Sequence, residues 1–171
     1  MVLCLFLLVA SPRRAHAFDL SIGLGLGGMT AGHTPYFAVS PHVTVEWPIG
    51  SGFFFSAQEM ASFLPGSFKG WGFYNPFSVA LSFKWERRTI SFGPSIAFFY
   101  LPACGVTYCA HTFGSAPGLH ARVEAYLIGP VGIAASGNVD WIIGDNSVLA
   151  GQIAGTVVVG PVIGWEQKVS R

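Results

Sequence analysis

The sequence predicts an all-β protein, a closed up-and-down antiparallel barrel of eight strands that crosses a membrane. Three observations carry this. Only 10% of the 171 residues are charged, whereas 51% are hydrophobic and 15% aromatic. An average soluble domain is about 25% charged, and a small chain has much surface to cover. Second, the chain divides into segments in which large apolar residues occupy every other position, the period of a strand. Third, short connectors alternate with longer ones, as in a meander that crosses a membrane. The 22 glycines and 11 prolines argue against helices.

Residues 2–10 (VLCLFLLVA) form an apolar run too short to span a bilayer, and Ala15-His16-Ala17 supplies a small-residue cleavage pattern. The expectation is a secretory signal peptide over 1–17 that takes Cys4 with it, leaving a single domain over 18–171. Arg13 and Arg14 leave too, so seven basic residues face eight acidic ones. No basic run remains, and nucleic acid is not an implied partner.

The first strand is Asp19–Met29, with Leu20, Ile22, Leu24 and Leu26 on one face and Ser21, Gly23, Gly25 and Gly27 on the other. Phe37–Trp47 sets Phe37, Val39, Val43 and Val45 against Ser40, His42, Thr44 and Glu46. Phe53–Leu64 is apolar, but Glu59 shares the phase of Phe53, Phe55 and Phe63, which predicts a bulge or phase change there. Phe77–Trp85 and Ile90–Tyr100 alternate Phe, Val, Leu and Ile with Ser, Ala and Gly. Leu119–Leu127 carries His120, Arg122 and Glu124 on its polar face, and Val131–Ile143 carries Ser136, Asn138 and Asp140. Val148–Glu166 is the eighth. Residues 48–52, 86–88 and 129–130 read as tight turns, and 30–36, 65–76, 101–118 and 144–147 as connectors at the other end. Pro41, Pro94 and Pro161 each remove a ladder donor, which bulges or strand ends are expected to absorb. The competing reading is a helical membrane protein, since Ser147–Trp165 is 19 residues without a charge and contains two G-x-x-x-G patterns. The glycines, Pro161 and the Val157–Val159 triplet favour a strand.

Eight strands enclose room for side chains only. The small polar face therefore points inward and the large apolar face outward, into lipid, where a closed barrel satisfies every backbone group. Trp47, Trp85, Tyr100, Trp141 and Trp165 sit at strand ends, where interfacial aromatics are expected.

With this pattern the chain resembles the small eight-stranded outer-membrane β-barrels of Gram-negative bacteria, the OmpA/OmpX-like group. The resemblance covers 18–171 and rests on architecture. It implies an outer-membrane location, contact with outer-membrane lipid and lipopolysaccharide, and insertion by the outer-membrane assembly machinery. Chains of this group end on an aromatic residue that the machinery reads. Trp165, preceded at even spacing by Ile163, Val159 and Val157, takes that place, and six residues follow it.

The inward polar residues are the one concentration of chemistry: His42, Glu46, Lys84, Glu86, His120, Arg122, Glu124, Asn138 and Asp140. Folding about Gly129-Pro130 with a residue sum near 260 sets His120 opposite Asp140, Arg122 opposite Asn138 and Glu124 opposite Ser136. Buried charges must pair, so the expectation is a polar plug, with no cofactor and no metal. The alternatives are a narrow pore or a lipid A-modifying enzyme that would use His120, Asp140 and Ser115 as base, orienting carboxylate and nucleophile. Some barrels of the resembled group modify lipid A, but their late-strand His and Ser two residues apart are absent here. Cys104 and Cys109 bracket a turn-like segment and predict a local disulfide. Metal ligation there would have only His111 nearby. His33 and His111 read as solvated loop residues. The aromatics of the longer connectors, Phe68, Trp71, Phe73 and Tyr74 in one and Tyr108 and Phe113 in another, offer a surface for a loop-mediated partner.

Overall fold

The structure, a computed structural model, describes residues 18–32, 34–67, 70–104, 109–143 and 151–166. The predicted leader over 1–17 lies outside them. The strands are β1 (Asp19–Ala31), β2 (Thr34–Gly50), β3 (Phe53–Met60), β4 (Ser62–Ser67), β5 (Gly70–Trp85), β6 (Arg88–Cys104), β7 (Cys109–Ile128), β8 (Val131–Trp141) and β9 (Ile153–Glu166). All neighbours are antiparallel. β1 pairs with both β2 and β9, so the sheet closes on itself. β3 and β4 each pair with β2 and β5 and share one register on each side, so they are two halves of one barrel strand. The ring therefore has eight strands.

The break between β3 and β4 has a local cause. Ala61 donates its N–H to the Pro41 carbonyl at 3.0 Å, but Pro41 has no N–H to return. Pro94 and Pro161 behave differently from expectation. The β5–β6 ladder passes over its partners near Pro94, and the β1–β9 ladder does so near Pro161, yet the register is the same on both sides of each gap. No bulge and no strand end is involved. Both prolines face outward and the chain carries the lost bonds mid-strand.

Glycines make these close approaches possible. A Cβ on Gly93 would overlap the Val79 carbonyl and the Ala80 backbone, and one on Gly160 would overlap the Leu24 carbonyl. Gly93→Val is therefore expected to lower stability by about 1–3 kcal/mol, as overpacking does, read from the midpoint of urea unfolding. A shift below about 0.5 kcal/mol would mean that the two strands do not meet there.

Glu59 keeps the phase of its strand. Phe53, Phe55, Glu59 and Phe63 all point outward and Met60, Ser62 and Leu64 inward, so the expected phase change does not occur. The strand segments β5, β6 and β7 are longer than the alternation alone suggested. Most of 65–76 and 101–118, read as connectors, continues the strands beyond the apolar belt.

The barrel is inside-out. Leu24, Leu26, Phe37, Leu81, Phe92, Ile96, Phe98, Val123, Ile133 and Val159 are exposed on its outer face, while serines, charges and glycines fill the lumen. This contiguous apolar surface far exceeds what a soluble monomer exposes. It is bounded by two aromatic belts. At the tight-turn end, Phe53 packs on Phe83 (5.1 Å) and Phe83 on Trp85 (5.6 Å), with Trp47 against Phe55 (6.0 Å). At the opposite end, Phe63, Phe73, Tyr100 and Phe113 lie in one row across β4, β5, β6 and β7. From Ile90 to Tyr100 the chain advances ten residues. At about 3.3 Å per residue and a tilt of about 40°, that is a height of about 25 Å, the apolar band of an outer-membrane barrel.

Candidate functional site

The lumen is the candidate site, and it is layered. At the tight-turn end Lys84 bridges Asp19 (2.5 Å) and Glu46 (2.6 Å), its ammonium also lying 4.4 Å from the Phe54 ring centre. One layer deeper stands Arg122, 2% exposed. It donates to Thr44 Oγ1, to Ser21 Oγ (2.9 Å) and to Gln58 Oε1 (3.4 Å), and it pairs with Glu124. One guanidinium on β7 thus ties together β1, β2 and β3 across the barrel axis. Glu124 also accepts from Ser21 (3.4 Å) and Tyr126 (3.2 Å). A serine ladder, Ser56–Ser82–Ser91, lines the wall at 2.9 and 2.8 Å. Next come His42 and His120, the latter 3.1 Å from Asn138 Oδ1. Asp140 then accepts from Ser95 (2.8 Å) and from Tyr74.

Above Asp140 the lumen turns apolar. Met29, Tyr36, Met60, Leu64, Phe99, Leu101 and Ile142 are buried together at the loop end. The Tyr36 hydroxyl donates to the Pro102 carbonyl, 2.8 Å away on β6. Sequence reasoning missed this apolar group. The signal was present: Met29, Met60, Leu64, Phe99 and Ile142 hold inward positions within the predicted strands, and Tyr36 and Leu101 continue that phase one residue past a predicted strand end.

Of the residues read as luminal, His42, Glu46, His120, Arg122, Glu124, Asn138 and Asp140 are buried inside, and Lys84 is half-buried at the mouth. Glu86 is not luminal. It occupies the β5–β6 turn, exposed, with φ 51°. The register across the last hairpin also differs. The turn sets Ile128 opposite Val131, one off the expected register, and a bulge between Tyr126 and Ile128 moves the pairing by one more, so that His120 faces Asn138, Arg122 faces Ser136, Glu124 faces Ala134 and Asp140 faces Gly118. His120 and Asp140 are therefore not partners.

The three residues named for the enzymatic reading are not brought together by this geometry. Asp140 is held by Tyr74 and Ser95, and His120 by Asn138. Ser115 lies in β7, not in a loop, one position from inward-facing Ala116 and on the other face of the sheet. No hydrogen-bonded triad exists among the three.

On the outer face, Trp47, Trp85 and Trp165 stand at the tight-turn end and Tyr100 and Trp141 at the loop end. His111, read as a solvated loop residue, is in β7 and stacks on Tyr100 (4.6 Å, 8°). Trp71 packs on the other side of Tyr100 (5.3 Å). Trp71 and Phe113 are strand residues, 65% and 77% exposed, whereas Tyr74 turns inward. Phe68, Tyr108 and His33 lie outside the described residues. The backbone register sets Cys104 opposite Cys109 at the tip of β6–β7; their side chains lie outside the described residues. Among the described residues no group of three or more His, Cys, Asp or Glu is arranged to hold a metal.

No protein-family model matches the chain. No curated protein matches it either. Solved structures do. A major outer membrane protein from Thermus thermophilus superposes with a TM-score of 0.60 at 12% identity, over 88% of this chain and 100% of that one. Neisserial surface protein A gives 0.57 at 9% identity, over 85% and 96%. Ail, the attachment invasion locus protein of Yersinia pestis, solved with the heparin analogue sucrose octasulfate, gives 0.56 at 11% identity, over 88% and 99%. At these identities the likeness establishes the fold, that of a small outer-membrane β-barrel.

Proposed function

We propose that this chain is an integral outer-membrane protein of a Gram-negative cell, exported by the leader over 1–17, with a structural or surface-interaction role and a closed lumen. The observation that supports the reading is the pairing of an outward apolar belt about 25 Å high with a lumen whose middle is occupied by buried side chains. Arg122 and its partners block the lower half, and the apolar group around Phe99 blocks the upper half. Outer-membrane lipid and lipopolysaccharide are the surroundings that such a belt requires. Trp165, outward on the last strand, is the residue offered to the assembly machinery.

The surface role falls to the aromatics at the loop end, where Phe113 stands at the edge of the belt and Trp71 and His111 project from strands that rise past it. A sulfated polyanion, the ligand of the Ail complex, suits this end poorly. The sequence places only Lys69 among the basic residues there, and the arginines of the rim, Arg87 and Arg88, are at the opposite end. An apolar or aromatic partner surface is the better match.

Closure is testable in a planar bilayer. The wild-type barrel is expected to give no resolved conductance steps. Trimming both halves of the plug in a Tyr74→Ala/Phe99→Ala/Arg122→Ala barrel is expected to open discrete ones. Steady conductance from the wild-type protein would replace this reading with the narrow pore.

A further inference from the structure

The tight-turn mouth of the lumen is a cavity of about 520 Å³ that the closed interior leaves unused. Its floor and its rim differ in charge. On the floor, Asp19 and Glu46 share the single ammonium of Lys84. Arg122, the next cation inward, is already engaged by Glu124. The floor therefore keeps one excess negative charge. Glu46 is 5% exposed; its Oε2 takes Lys84, and its Oε1 accepts no hydrogen bond. A buried carboxylate oxygen without a donor is costly, so a ligand that brings an N–H to it gains more than it would at a wet surface. At the rim stand Arg87 and Arg88, both exposed, with Glu86 beside them.

A negative floor beneath a positive rim fits a molecule that carries both charges. We propose that this vestibule binds a small zwitterion, with its primary ammonium on Glu46 and Asp19 and its phosphate or carboxylate on Arg87 and Arg88. An ammonium supplies the donor that Glu46 Oε1 lacks, and guanidinium groups match the anionic end. The cavity wall also includes Trp165, which faces outward, so the mouth opens beside the bilayer surface. The same chemistry is available there from free phosphoethanolamine or from a lipid head group that contains it. Only the lipid source rests on the membrane reading above.

The test is calorimetric titration of O-phosphoethanolamine into the full chain refolded in maltoside micelles. Saturable binding is expected, at least about tenfold weaker for Glu46→Gln and for Arg87→Gln/Arg88→Gln, the loss of one charge-assisted hydrogen bond in each. Phosphocholine, whose quaternary ammonium donates no hydrogen bond, is expected to bind at least about tenfold more weakly. Repeating the titration in nanodiscs of phosphatidylcholine, with and without phosphatidylethanolamine, separates the sources. Weaker probe binding when the ethanolamine lipid is present assigns the site to the head group, and equal binding assigns it to the free compound. Absence of saturable binding overturns the proposal, and so does undiminished binding by Arg87→Gln/Arg88→Gln. Both arginines are exposed, so this variant keeps the fold. Retention of the compact, boiling-sensitive species on an SDS gel distinguishes failure of this site from failure of the barrel.

Discussion

Arg122→Met is expected to destabilise the barrel by about 3–5 kcal/mol, the largest effect of any single lumen substitution. The variant removes the donor to Thr44, Gln58 and Ser21 and leaves Glu124 charged and buried. Breaking one partner of a buried ion pair carries that magnitude because the remaining charge has lost its compensation. Replacing both partners is a different matter. An Arg122→Met/Glu124→Leu barrel exchanges two buried charges for apolar volume, and its loss is expected to be smaller than that of the single variant. Urea unfolding in vesicles, followed by tryptophan fluorescence, measures both. A single variant within about 0.5 kcal/mol of wild type would mean that Arg122 does not tie the strands together.

The second large effect lies on the opposite face. Ile96 projects outward from β6 near mid-belt, 41% exposed. On a soluble protein, a polar substitution at so exposed a site changes stability by no more than about 0.5 kcal/mol. On this barrel, Ile96→Arg is expected to cost about 2–4 kcal/mol, because the guanidinium must sit in or escape from hydrocarbon. The same substitution at Phe113, in the aromatic row at the belt's edge, is expected to cost less than about 1 kcal/mol. The contrast between the two positions, in one unfolding assay, reads membrane depth directly.

Much of this arrangement was legible in the sequence, and the exceptions have physical causes. The alternation of Leu and Gly in β1, or of Phe and Ser in β5 and β6, specifies which face is which, because a strand has only two faces. Strand count followed from the turns, and Gly129 with φ 54° shows why the Gly-Pro turn could be read in advance. Register could not be read to one residue. The two-residue turn sets Ile128 against Val131, and a bulge at Leu127 that nothing local announces moves the pairing one further, so His120 meets Asn138 and not Asp140. Glu86 has the parity of the luminal set, but the turn it occupies has no inside. The apolar group at the loop end was missed for a different reason. Composition suggested that a narrow lumen wants Gly and Ser, which holds beside the Arg122 cluster. At the loop end, Phe99 packs beside Ala97 and Ala116, so small neighbours make room for large inward side chains. Pro94 and Pro161 look disqualifying in sequence, yet a closed ring holds each strand from both sides and tolerates a gap on one.

The most direct test of the inside-out barrel is nitroxide scanning of β6 in lipid vesicles, one label at a time from Ile90 to Tyr100. A period of two is expected. Labels at 90, 92, 96 and 98 should be reached by oxygen dissolved in the bilayer and shielded from a water-soluble nickel chelate. Labels at 91, 93, 95, 97 and 99 should be shielded from oxygen. Accessibility with a period of 3.6, or exposure of the even positions to the aqueous reagent along the whole strand, would contradict it.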